Sequence, residues 1–183
     1  MRVIAGKAKG VQLQAVPGHG TRPISDRVKE ALFNILGPEL EGARVLDLFA
    51  GTGSVGIEAL SRGAAEAVFV ERDRVALRTI HENLAHTGLS DLGRVERADV
   101  FQYLDRSPTA YDYVYVAPPQ YQGLWAETLH VLDRQPGWLY EDSWVIVQIH
   151  PREYQALALQ ELAQFDQRTY GSVMLCFYQP ALT

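Results

Sequence analysis

The sequence predicts an α/β fold: a seven-stranded, mainly parallel sheet with helices on both faces and one antiparallel strand near the end. Three observations predict it. From residue 43 onward, short apolar runs alternate with segments of helical periodicity, the pattern of βαβ units. Near the end, Tyr170-Gly171-Ser172 joins two apolar runs directly, a connection that only antiparallel strands can make. Ahead of both lies a segment of different character, basic and rich in turn formers.

That first segment, residues 1–38, is expected to form an extension. Arg2–Ala5 and Val11–Leu13 flank Gly6-Lys7-Ala8-Lys9-Gly10 and read as a small hairpin. Pro17-Gly18-His19-Gly20-Thr21-Arg22-Pro23 reads as a loop. Val28, Ala31, Leu32, Ile35 and Leu36 then recur at helical spacing, with Ser25 or Asp26 as N-cap and Gly37-Pro38 as the stop.

Residues 39–183 form the second expected unit. Its strands are Arg44–Phe49, Ala67–Glu71, Val95–Asp99, Tyr111–Val116, Trp144–Ile149, Phe165–Thr169 and Val173–Tyr178. Helices are expected over Ser54–Arg62, over Arg74–Ala85 with Asp73 as cap, around Leu124–Leu132, and over Tyr154–Leu162. Tyr111, Tyr113 and Tyr115 alternate and are expected to pack on one side of their strand.

Composition narrows the class. The 183 residues are 47% hydrophobic and 21% charged, enough to bury a core. No apolar run is long enough to span a bilayer and none resembles a signal peptide, so a cytoplasmic, membrane-free protein is expected. The single cysteine, Cys176, excludes an intrachain disulfide and sits in an apolar run where a packed thiol is expected. The five histidines show no metal spacing, so no metal is expected. The net charge of -5 hides an asymmetry: residues 1–38 carry six basic and two acidic groups, the remainder 11 and 20. Lys7, Lys9, Arg22, Arg27 and Lys29 are therefore the candidate phosphate contacts of a polyanion-facing edge.

The main chemical signal is Asp47-Leu48-Phe49-Ala50-Gly51-Thr52-Gly53-Ser54-Val55-Gly56, a glycine loop between a strand and a helix. Its glycines allow a tight turn and close approach to a ligand. With Glu71 twenty residues after Gly51, it also fits a dinucleotide fingerprint, so a nicotinamide oxidoreductase is one reading. Asp47 argues for another. A carboxylate repels a pyrophosphate but favours the ammonium and sulfonium of S-adenosylmethionine. Asp47, Glu71 and Asp99 end three successive strands, where open α/β sheets bind ligands. The candidate cofactor residues are Asp47, Phe49, Ala50, Gly51, Thr52, Gly53, Glu71, Arg72, Asp99 and Val100.

The loop, the three acids and the closing hairpin resemble a Rossmann-like class I S-adenosylmethionine-dependent methyltransferase. More specifically, the chain resembles the RsmD-type small-subunit (16S) rRNA guanine-N2 methyltransferases. Arg2-Val3-Ile4-Ala5-Gly6, Gly10-Val11-Gln12-Leu13 and Arg22-Pro23-Ile24-Ser25-Asp26-Arg27-Val28-Lys29-Glu30-Ala31-Leu32-Phe33-Asn34 carry that resemblance. It implies methyl transfer to a guanine exocyclic amine within an assembling small ribosomal subunit, by a monomer whose basic extension meets the RNA. Related amine methyltransferases carry Asp/Asn-Pro-Pro-Tyr/Phe after the fourth strand. There the polar side chain and a proline carbonyl accept from the amine, and the ring stacks on the base.

The corresponding residues here are Ala117-Pro118-Pro119-Gln120-Tyr121, the candidate catalytic segment. Ala117 has no acceptor, and Gln120 stands at the aromatic position with Tyr121 one residue later. An alternative therefore stays open: a catalytically impaired relative that binds rRNA or assembling ribosomes.

Overall fold

The computed structural model describes residues 1–18 and 23–182. Arg22, expected to contact phosphate, lies outside the described residues.

The chain opens with the expected hairpin. Val3 N–H donates to the Val11 carbonyl (3.0 Å) and Leu13 N–H to that of Met1 (3.0 Å), with an antiparallel bridge at Arg2 and Gln12. Helix α1 (Asp26–Leu36) follows. Its N-cap is Ser25, whose Oγ accepts from Val28 N–H, and Gly37 ends it at φ 67°.

The sheet contains β1 (Arg44–Leu48), β2 (Glu66–Glu71), β3 (Gly93–Arg97), β4 (Tyr111–Val116), β5 (Leu139–Ile149), β6 (Leu162–Tyr170) and β7 (Val173–Pro180). Helices α2 (Ser54–Ser61), α3 (Arg74–Thr87), α4 (Val100–Leu104) and α5 (Leu124–Arg134) join the first five strands. The strand order is β3-β2-β1-β4-β5-β7-β6. Parallel pairing runs from β3 to β5, and β7 is antiparallel to both of its neighbours.

Two apolar layers cover the sheet. The hairpin, α1, α2 and α3 pack on one face around Leu32, Leu60 and Ile80. Helices α4 and α5 pack on the other around Leu104, Trp125 and Leu129. Cys176 lies on β7 in this second layer, fully buried, and burial pushes its thiol up to about 12. Among the described residues, no helix is long and apolar enough to cross a membrane.

The hairpin is bound to α2 by polar contacts as well as apolar ones. Glu58 on α2 accepts from Ile4 N–H (2.9 Å) and Ala5 N–H (3.1 Å). Ser61 Oγ accepts from Ala8 N–H (2.9 Å) and donates to the Ala5 carbonyl (2.7 Å). Gly6 is required at this junction, since a Cβ there would lie 1.9 Å from the Ser61 carbonyl oxygen.

Three expectations are corrected. The segment 154–162 is not helical: a short 3-10 turn, Pro151–Glu153, leads into extended chain. Its apolar residues Leu157 and Leu159 both pack on the α4/α5 layer, an alternation suited to extended backbone. Asp133 at the end of α5 fixes this path, its carboxylate accepting from the N–H groups of Gln160, Glu161 and Leu162. Burial opposes ionisation of Asp133, yet these bonds hold its carboxyl below the usual carboxylate range.

The third strand runs two residues earlier than expected, so Asp99 caps α4 and does not end β3. The tyrosines divide: Tyr113 and Tyr115 pack toward α1 and α2, whereas Tyr111 packs with Tyr103 and Trp138 in the opposite layer. The β4–β5 register also shifts between Tyr111 and Tyr113, with the extra residues on β5.

Candidate active site

The strand order reverses at β1, which pairs with β2 on one side and β4 on the other. Crevices at the carboxyl ends of strands form at such a reversal. Here a cleft of about 630 Å³ opens, joining the loop after β1 to the segment after β4.

The first wall is the glycine loop. Phe49, Gly51 and Gly53 all have positive φ (60°, 59° and 79°), which wraps the chain from β1 into α2. Glycine adopts this conformation freely, whereas at Phe49 it stores strain of about 1–3 kcal/mol. Gly56 lets α2 approach the sheet, since a Cβ there would lie 2.4 Å from the Phe69 ring. Asn83 on α3 ties the loop to the extension: its amide donates to the carbonyls of Thr52 (3.0 Å) and Gln14 (3.1 Å).

Asp47 lies at the cleft floor, 2% exposed, its Oδ2 accepting from Gly56 N–H (3.1 Å). Burial pushes its carboxyl up to about 8, and the nearby Glu71 charge adds to the shift, against the Gly56 hydrogen bond. Burial thus opposes the anionic form that the sequence reading assigns to Asp47.

Glu71 organises the loop from behind. Its Oε1 accepts from Gly51 N–H (2.9 Å), and its Oε2 from Arg72 N–H (3.0 Å) and Asp73 N–H (2.9 Å). Asp99 Oδ1 caps α4, accepting from Phe101 N–H (2.9 Å), while its Oδ2 lies 3.7 Å from the exposed Arg72 guanidinium. Phe101 packs edge-on against Phe49, their centroids 6.5 Å apart.

The second wall is Ala117-Pro118-Pro119-Gln120. Gln120 faces the cleft. Tyr121 lies outside its lining, 62% exposed with φ 60°. Tyr121 N–H donates to Glu153 Oε1 (2.8 Å), and its ring lies 5.8 Å from that of His150. Glu153 Oε2 also accepts from His150 N–H (3.3 Å), so one carboxylate ties the segment after β4 to the one after β5.

The cleft thus brings together Asp47, Phe49, Ala50, Gly51, Thr52, Ala117, Pro118, Pro119 and Gln120. Gly53, Glu71, Arg72, Asp99 and Tyr121 surround it without lining it. Val100 is 4% exposed in the α4/α5 layer, so its side chain is not available to stack on a ligand.

The sequence reading missed Tyr115 and Gln148, which line the cleft from β4 and β5. Tyr115 was visible only as part of a packing stripe. Gln148 sits in an apolar run, Val145-Ile146-Val147-Gln148-Ile149, where a lone polar residue is the available signal.

The candidate phosphate contacts separate. Arg27 is exposed on the first turn of α1. Lys7 and Lys9 are exposed on the hairpin loop beside Ser61, at the far end of α2 and about 10 Å along it from Ser54. Lys29 is a correction: fully buried, it donates to Ser54 Oγ (2.9 Å) and the Arg2 carbonyl (2.6 Å) and pairs with Glu58. It cannot reach a phosphate.

A family model described as Conserved hypothetical protein 95 matches residues 1–179. The chain belongs to this family. It is 38% identical over 148 residues to Ribosomal RNA small subunit methyltransferase D of Escherichia coli, covering 81% of this chain and 74% of that one. The family's fold is shared with a solved Escherichia coli structure, yhhF, provisionally titled a methyltransferase, at TM-score 0.87 and 34% identity over 98% of this chain and 97% of that one. A Salinibacter ruber RNA methyltransferase, solved in complex with S-adenosyl-L-homocysteine, shares the fold alone, at TM-score 0.68 and 15% identity over 88% and 96% of the two chains.

Proposed function

We propose that the chain transfers a methyl group from S-adenosylmethionine to the exocyclic N2 amine of a guanine in 16S rRNA, acting as a cytoplasmic monomer on an assembling small subunit. The observation that carries this reading is the continuous cleft between the Asp47–Thr52 loop and the Ala117–Gln120 segment. The name of the Escherichia coli relative supports rRNA of the small subunit as the substrate class.

The donor set fits the cofactor. Acidic Asp47, Glu71 and Asp99 ring the loop, and the guanidinium of Arg72 is turned to Asp99. A pyrophosphate would meet carboxyl groups here, which disfavours the dinucleotide reading. When bound, S-adenosylmethionine supplies an electrophilic methyl group on a cationic sulfur. Asp47 serves the cationic end, giving up its proton as a positive charge arrives. Glu71 and Asp99 offer acceptor oxygens to hydroxyl and amine groups, and the Phe49–Phe101 pair supplies an apolar surface.

A guanine amine is a weak nucleophile because its lone pair is delocalised into the ring. The chain must accept hydrogen bonds from the N–H groups and aim the nitrogen. The Pro118 carbonyl is one such acceptor. Arg27, with Lys7 and Lys9 farther out, holds backbone phosphates without reading sequence.

The test is transfer of labelled methyl from S-adenosylmethionine to small subunits lacking the modification, followed by nucleoside mass spectrometry. N2-methylguanosine is the expected product. A second reading, an rRNA-binding relative without turnover, is favoured by the absence of an acceptor on Ala117. It wins if the subunits bind yet gain no methyl group.

A further inference from the structure

An amine held for methylation needs acceptors on its N–H groups, and Ala117 offers no side-chain acceptor at the mouth of the cleft. The neighbouring strand does. Strands β4 and β5 are parallel with Val116 opposite Val147, so Ala117 and Gln148 stand one step further on, side by side. Tyr115 and Ile146 are also opposite each other, and both pack on the face that carries α1 and α2. Gln148, two residues beyond Ile146, therefore projects to the same face as Tyr115 and Ala117. All three line the cleft, as does Asp47, the register partner of Tyr115 on β1.

Gln148 is not free to wander. The Tyr115 hydroxyl donates to its Oε1, which leaves one lone pair of that oxygen unused. Burial pushes the Tyr115 phenol well above its ordinary range, so the hydroxyl keeps its proton and its donor role across working pH. Positions 117 and 148 both line the one cleft, so a base amine lying between them can meet the Gln148 side chain.

We propose that Gln148 Oε1, held by Tyr115, accepts a hydrogen bond from the target amine and so supplies the acceptor that position 117 lacks. This rests on the reading of the chain as a base-amine methyltransferase. Gln148 touches the substrate, and Tyr115 is a positioning residue acting through it.

The experiment compares steady-state methyl transfer to unmodified small subunits by the wild type, Gln148→Glu, Gln148→Met, Tyr115→Phe and the double variant Gln148→Met/Ala117→Asp. Adenosylhomocysteine affinity, measured by calorimetry, reports whether each variant keeps its cleft. Methionine matches the length of glutamine without its acceptor, so Gln148→Met should lower kcat about 100-fold with KM and adenosylhomocysteine affinity little changed. Gln148→Glu keeps an acceptor in place and should retain most of kcat. Tyr115→Phe should lower kcat less than Gln148→Met, and Ala117→Asp should restore at least tenfold of what Gln148→Met loses.

Wild-type kcat in Gln148→Met overturns the proposal. So does Gln148→Glu as impaired as Gln148→Met, which would mark a packing role. A wild type that binds adenosylhomocysteine but transfers nothing overturns the methyltransferase reading itself, and this inference with it.

Discussion

Lys29 Nζ lies 3.3 Å from Glu58 Oε1, and both side chains are fully buried between the N-terminal hairpin, α1 and α2. Glu58 is held further by Arg62 (2.8 Å) and by the N–H groups of Ile4 and Ala5. Burial lowers the Lys29 pKa against the attraction of Glu58. Removing Glu58 strands the Lys29 charge, whereas removing Lys29 leaves Glu58 bound by Arg62 and two backbone N–H groups. Glu58→Ala should therefore cost about 3–5 kcal/mol in urea denaturation, Lys29→Ala less, and Lys29→Met/Glu58→Gln much less than the sum of its single changes. A cost below about 1 kcal/mol for Glu58→Ala would show that the pair is not what joins these elements.

Asp47 makes stability depend on pH in a stated direction. Unfolded, it ionises near 3.8; folded, it keeps its proton to about 8. Between these values the folded state holds the extra proton, so its contribution to stability falls as pH rises. The melting temperature of the ligand-free protein should drop from pH 4 toward pH 8. Asp47→Asn, which keeps an acceptor for Gly56 N–H, should flatten that slope and be the more stable form at pH 8. Parallel curves for the two proteins would refute the assignment.

Two glycines of the hairpin offer a matched pair. Gly6 and Gly10 have nearly equal φ, +87° and +85°, but only Gly6 would press a Cβ into Ser61. Gly10→Ala should cost only the backbone strain, about 1–2 kcal/mol. Gly6→Ala adds the clash and should cost roughly 3 kcal/mol or more, with raised hydrogen exchange along the hairpin. Equal costs would mean that the junction yields easily.

Glu153 should affect substrate handling without touching the cofactor loop. Glu153→Ala frees Tyr121, whose φ of 60° is unfavourable for a non-glycine residue. The expected result is a several-fold rise in KM for the RNA substrate with unchanged adenosylhomocysteine affinity. If KM stays the same, the Tyr121 loop has no part in binding RNA.

Much of the architecture is legible in local patterns. Ser25 and Asp73 mark helix starts by their own chemistry, and both act as caps in the structure. The glycine loop and its acids are likewise contiguous or at fixed spacing. Lys29 shows why other features are not legible. It sits next to the apolar stripe of α1, and what buries it is a carboxylate 29 residues away on α2. Gln148 depends on the register between two strands, and the path of 154–162 depends on Asp133 at the end of another helix. Each of these requires the assembled sheet.

Cys176 has a practical consequence. It is the one cysteine in the sequence, and with its thiol buried and shifted to about 12 it presents almost no thiolate at neutral pH. The unaltered chain should therefore react slowly with maleimides and similar reagents. A cysteine placed at Tyr121, Arg27 or Lys9 would carry a fluorophore or spin label as the more reactive thiol. Distances from those positions to a bound RNA could then be measured directly, without first rebuilding the core.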